Sequence, residues 1–117
     1  MLNIGPALKV TIHLNRDTGA KHGFLVDDIL DFLQKRGIAG ATAIQAFAGF
    51  GAHRRLHTEG AGDVGGEHLP VLIYFIDEPA KIDAILDDLL AFVTDGLVEM
   101  HPTQVLRSIT ATEKVIT

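Results

Sequence analysis

A chain of 117 residues with 47% hydrophobic and 21% charged side chains is the size of one ordinary domain and apolar enough to bury a real core. Its formal charge of −5, with no Lys/Arg run longer than Arg54-Arg55, argues against nucleic acid or an anionic membrane as partner. The lack of cysteine excludes disulfides, thiolate metal sites and a Cys nucleophile.

From Leu8 to Leu14 the chain alternates, with Leu8, Val10, Ile12 and Leu14 on one face and Lys9, Thr11 and His13 on the other, which predicts a half-buried strand. Over 24–36, Val26, Ile29, Leu30 and Leu33 recur at helical spacing. Asp27, Asp28 and Asp31 come early and Lys35-Arg36 late, as the helix dipole favours, and Gly37 ends the helix. Ala41 to Phe50 reads as one small, apolar second strand, and Leu69 to Ile76 as a third that is apolar on both faces. Between them lies a loop, about 52–68. Pro79 suits a first helical turn, and Ile82, Ile85, Leu86, Leu89 and Val93 form a core-facing stripe closed by Asp95-Gly96. A fourth strand is expected from Leu97 to Ile109, with Pro102 marking a bulge or an edge. The tail 110–117 reads as loose.

Strand-helix-strand followed by strand-helix-strand is the split βαβ plan. The expected fold class is α+β, a ferredoxin-like four-stranded antiparallel sheet with both helices on one face. Residues 1–117 are read as a single domain with a core of about 8–109. The helices cover one side only, yet the third strand offers Leu72, Tyr74 and Ile76 as well as Val71, Ile73 and Phe75. Leaving either set in water forfeits about 1.5–3 kcal/mol per side chain, so a neighbouring subunit is expected to cover the second face. A mean hydropathy of +0.25 points the same way. No apolar run approaches the ~20 residues that span a bilayer, and the start MLNIGP lacks a signal-like pattern, so a cytoplasmic location is the default.

The densest chemistry lies in Arg36 to Thr58, where Gly37, Gly40, Gly49 and Gly51 bracket an apolar run that delivers two arginines and two histidines. So many glycines at set places suggest a shaped turn beside a shaped loop. Arg54 and Arg55 have the bidentate donors that suit phosphate or carboxylate; the plainer alternative is one solvated arginine and one paired with an acid. His53, His57 and His13 invite a metal reading, but in an extended segment four residues separate two rings by about 13 Å, against Zn–N bonds of about 2.0–2.1 Å. Lys9, Thr11 and His13 suit a polar network between subunits. Asp83, Asp87 and Asp88, like Asp27, Asp28 and Asp31, read as solvated faces. Ser108, the single serine, stands in no nucleophile elbow, and no HExxH, Walker or dinucleotide fingerprint occurs, so neither an enzyme nor a cofactor is expected.

The series Gly37-Ile38-Ala39-Gly40-Ala41-Thr42, Gly49-Phe50-Gly51, His57-Thr58 and Leu69-Pro70-Val71 resembles the PII-like uncharacterised family of domain of unknown function 190, over about Leu8 to Ile109. The resemblance implies a fold of the nitrogen-regulatory PII kind, a homotrimer with open sheet faces around the threefold axis, and nucleotide clefts between subunits. It also implies a long loop after the second strand that touches a partner protein. PII proteins carry a glycine-rich basic phosphate loop between the second helix and fourth strand, where this chain has only Asp95-Gly96, and EGAGDVGGEH departs from the apolar segment of its relatives. The resulting expectation is a regulatory trimer that binds a small anionic ligand or nucleotide. Gly49, Phe50 and Gly51 would shape the site, Arg54 and Arg55 hold the anion, His57 and Thr58 supply hydrogen bonds, and loop 52–68 contact a target protein. A trimeric metal-binding protein resembling the CutA proteins, using His53 and His57, is the alternative, and an assembly without a ligand the third.

Overall fold

A computed structural model describes residues 2–15, 19–20, 23–51, 57–58 and 69–111. Four strands build the main sheet: β1 (Gly5–Asn15), β4 (Thr42–Gln45), β7 (Pro70–Asp77) and β8 (Leu97–Val105), in the antiparallel order β4-β7-β1-β8. Two-residue ribbons pair β2 (Gly19–Ala20) with β3 (Gly23–Phe24) and β5 (Ala48–Gly49) with β6 (His57–Thr58). Helices α1 (Leu25–Lys35) and α2 (Pro79–Phe92) follow β3 and β7. This is the expected α+β arrangement.

The period-2 pattern of β1 and β7 sets which side is dry. Val10, Ile12, Ile73 and Phe75 are buried in one core with Leu25, Ile29 and Leu33 of α1 and Ile82, Ile85 and Leu89 of α2. The sequence stripes therefore face inward, Leu25 being an addition and Leu86 only half-buried. Register then fixes the opposite face: Ile44 sits across from Leu72, Leu72 from His13, and His13 from Leu97, one row spanning all four strands.

Gly37 ends α1 with a positive φ of 79°. The Gly37 N–H donates to Gln34 O at 3.2 Å and the Ile38 N–H to Leu33 O at 3.1 Å, the two bonds of a Schellman turn, and buried Ile38 packs back on the core. Arg36 then ties the helices together, with Nη1 donating to Asp88 Oδ2 at 2.7 Å and Nη2 to Ala84 O at 3.3 Å. Beside it the Phe32 and Phe92 rings stack at 5.4 Å. On α1 the exposed Lys35 ammonium is held above its ordinary pKa by its hydrogen bond to Asp31. Asp31 and Asp88 thus have partners, whereas Asp83 and Asp87 are simply exposed.

Three expected bounds change. The second strand does not run from Ala41 to Phe50, because its ladder stops at Pro70: Ala46 N–H donates to Pro70 O at 2.8 Å, and proline has no N–H to return. The strand breaks at Ala46-Phe47, and beyond the break Ala48 pairs with Thr58 and Gly49 with His57. Residues 57–58 of the expected loop are therefore strand. The fourth strand ends at Val105 rather than Ile109, and Pro102 marks an edge without a bulge, its register with Leu8 running on unbroken to either side.

Candidate functional site

The segment joining α1 to β4 is pinned from three sides. Ile38 is fixed by the Schellman turn and the core. Lys81 Nζ donates to Gly37 O at 2.6 Å. The Ala39 N–H donates to Asp77 Oδ2 at 2.9 Å, while Oδ1 of the same carboxylate accepts from the Glu78 N–H at 2.8 Å. Asp77 is 2% exposed, and Lys81 Nζ stands 3.8 Å from it.

Residues Ala39–Ala41 form the wall between two clefts. On the open-sheet side a cleft of about 310 Å³ is bounded by Ala39–Thr42, by Tyr74 and Ile76, and by Ser108 and Thr110. Ser108 and Thr110 follow β8, the far edge of the sheet, so the chain after Val105 turns back toward β7 to bring them to the cleft. On the helix side a second cleft of about 260 Å³ lies between the same wall and Leu30, Leu33 and Gln34. Among the described residues, no charged side chain lines either cleft. Four residues of the sheet-side lining, Thr42, Tyr74, Ser108 and Thr110, carry hydroxyls, and the others are alanine, glycine or larger apolar residues. Apolar surface with a few polar groups is the usual composition of a small-molecule site. The Lys9 ammonium lies 4.8 Å from the centroid of the Tyr74 ring, a cation against the π-face of a lining residue.

The open face is more mixed than a purely apolar strand would make it. Leu72, Tyr74 and Ile76 are only half-buried, and Lys9, Thr11 and His13 do stand between them and β8, as their parity predicts. His13 Nε2 lies 3.4 Å from Glu99 Oε2, shielded from solvent but without a hydrogen bond. The apolar ends of the row are the open ones, Ile44 at 46% and Leu97 at 53% exposed.

Of the site residues expected from sequence, Gly49 passes over Pro70, where a Cβ would lie 2.9 Å from the ring. Gly51 has open space around it, and Phe50 is 67% exposed. His57 and Thr58 form β6 against Gly49 and Ala48. His53, Arg54 and Arg55 lie outside the described residues, as do the rest of loop 52–68 apart from 57–58 and the tail 112–117. Among the described residues no three His, Asp or Glu side chains gather as for a metal. Sequence reasoning singled out 37–42 as a shaped turn without placing it in the site. Tyr74, Ser108 and Thr110 carried no local signal at all, since only the sheet order and the returning chain bring them to that turn.

The family described as Uncharacterized ACR, domain of unknown function 190, matches residues 7–105. The chain belongs to this family. Solved structures share the fold of this domain of unknown function 190 member at low identity. CPII from Thiomonas intermedia K12, bound to ADP and bicarbonate, is 21% identical with a TM-score of 0.63, over 92% of this chain and 95% of that one. A candidate PII-like signalling protein from Thermus thermophilus is 17% identical with a TM-score of 0.65, over 90% and 94%. The PII-like fold expected of the domain of unknown function 190 series is therefore present.

Proposed function

We propose that this protein is a PII-like regulatory protein, a homotrimer that binds a small anionic ligand of the nucleotide class in clefts between subunits and presents loop 52–68 to a target protein. The observation that carries this reading is the uncharged, hydroxyl-lined cleft of about 310 Å³ beside the Gly37–Thr42 turn. It suits the flat base of a nucleotide, in a fold shared with a protein whose structure holds ADP and bicarbonate. The anionic end needs donors that the cleft lacks. Arg54 and Arg55, which fall in sequence between the paired residues Gly49 and His57, are the groups proposed to supply them, with His57 and Thr58 adding directional hydrogen bonds. A ligand held at once by the cleft and by these arginines favours the conformation that unites them, by its differential affinity for that state.

The test is a calorimetric and thermal-shift titration with ADP, AMP, bicarbonate, inorganic phosphate and zinc. Saturating ADP at a hundred times Kd is expected to stabilise the protein by about 2.7 kcal/mol. Arg54→Ala and Arg55→Ala should weaken binding of the phosphates, and Thr42→Val binding of the base. Unchanged affinity in both arginine variants would remove them from the site, no response to any anion would overturn the ligand reading, and a response to zinc alone would favour the metal-binding trimer.

A further inference from the structure

Asp77 is the single buried charged residue among the described ones. Burying a carboxylate costs more than a nearby ammonium at 3.8 Å returns, so its place at the end of β7 calls for a reason beyond closing the strand-to-helix turn. Its two oxygens accept from different parts of the chain: Oδ1 from Glu78, at the start of α2, and Oδ2 from Ala39, 38 residues away. Lys81, in the first turn of α2, adds the bond to Gly37 O. Residues 37–39 are thereby fastened to the first turn of α2 at both ends of Ile38. Directly beyond them a Cβ at Gly40 would meet nothing within 4 Å, and Ala39–Ala41 is the wall shared by the two clefts.

We infer that Asp77 and Lys81 are positioning residues, a latch that holds the shared wall against α2 and so sets the shape of both clefts. With the latch closed the wall keeps the sheet-side cleft open to a ligand. With it released, the wall pivots at Gly40. A ligand that moves the wall also moves the start of α2, which makes that helix end the path by which occupancy is felt outside the cleft. The ligand part of this inference rests on the function proposed above, whereas the latch itself does not.

Asp77→Asn keeps the shape but puts an amide NH₂ where one of two backbone N–H groups needs an acceptor. Lys81→Met keeps the stem and removes the donor, and serves as the gentler second variant if Asp77→Asn folds poorly. Arg36→Ala is the control, loosening the helix pair without touching the wall. Amide hydrogen exchange read by NMR is expected to rise at Ala39 at least ten-fold more than at core Ile73 in Asp77→Asn, and less steeply in Lys81→Met. In Arg36→Ala the two should rise together. ADP affinity should fall ten-fold or more in Asp77→Asn and stay within two-fold in Arg36→Ala. Exchange at Ala39 that merely follows Ile73 in both latch variants would overturn the latch, and unchanged ADP affinity in Asp77→Asn would overturn its positioning role. If ADP does not bind the unaltered protein, the nucleotide reading falls and the exchange result alone decides the latch.

Discussion

Glycine was the strongest residue-level signal in the sequence, and the structure divides it. Gly37 needs its positive φ and Gly49 its close approach to Pro70, whereas Gly40 and Gly51 need neither and have open space around them. Among the described residues, the most demanding glycine position is one that the sequence marked only as a helix stop. Gly96 has φ +135°, and a Cβ there would collide with the His13 backbone oxygen and come within 2.9 Å of Leu14 Cδ2. Neither atom is the movable tip of an exposed chain, so Gly96→Ala must strain the backbone and push apart β1 and the α2–β8 turn. A loss of about 2–4 kcal/mol is expected, read as a fall in the urea midpoint without a change in slope. Gly40→Ala, by contrast, should be neutral to slightly stabilising, within about 1 kcal/mol. A pattern of glycines shows that special backbone is present, but which glycine carries it depends on what the fold brings alongside, and His13 lies far earlier in the chain.

At the scale of elements most of the fold was legible, because β1, α1, β7 and α2 each carry a complete period of their own, and four such segments in that order leave few ways to pack. What was not legible came from pairing. The second strand reads as continuous to Phe50 because its residues suit a strand throughout, and its end is set by Pro70 on the neighbouring strand, which cannot supply the next hydrogen bond. The helices show the same dependence on partners. Arg36 was placed by the helix dipole, but its guanidinium reaches across to Asp88 and Ala84 and lies 5.3 Å from the Phe32 ring centroid. Because Asp88 is well exposed, the ion pair itself is worth only about 0.2–1 kcal/mol, with about 0.5–1 kcal/mol more from the ring. Arg36→Ala should therefore cost about 1–2 kcal/mol. In a double-mutant cycle with Asp88→Ala, the coupling should be below about 1 kcal/mol and shrink at high salt. A coupling that ignored salt would show that the two side chains interact through packing rather than charge.

For the whole molecule the outstanding demand is the helix-free face. Its central row runs Ile44, Leu72, His13, Leu97 across four strands, and the two apolar residues at its ends are half in water. Covering them returns about 1 kcal/mol apiece, a modest sum for one chain but one that is repeated in every subunit of a closed ring. The polar residues alongside set a second condition. Lys9 rests on the Tyr74 ring, and His13 Nε2 lies 3.4 Å from Glu99 Oε2 without a hydrogen bond, so a covering subunit has to complete polar contacts on this face as well as apolar ones. The proposed trimer therefore makes a sharp prediction about the ends of the row. Leu97→Asp or Ile44→Asp places a carboxylate at a side chain exposed within one chain, so the fold of each chain should survive, with unchanged far-ultraviolet circular dichroism. Inside the assembly the same carboxylate would be buried without a partner, at a cost of several kcal/mol per subunit. Light scattering should then report a mass of three chains for the unaltered protein and one for either variant. Ligand binding should be lost together with the assembly if the clefts are completed by a neighbour, and retained if one chain suffices. A single-chain mass for the unaltered protein at micromolar concentration would remove the trimer, and with it the shared cleft, while leaving the fold and the wall at Ala39–Ala41 as they are.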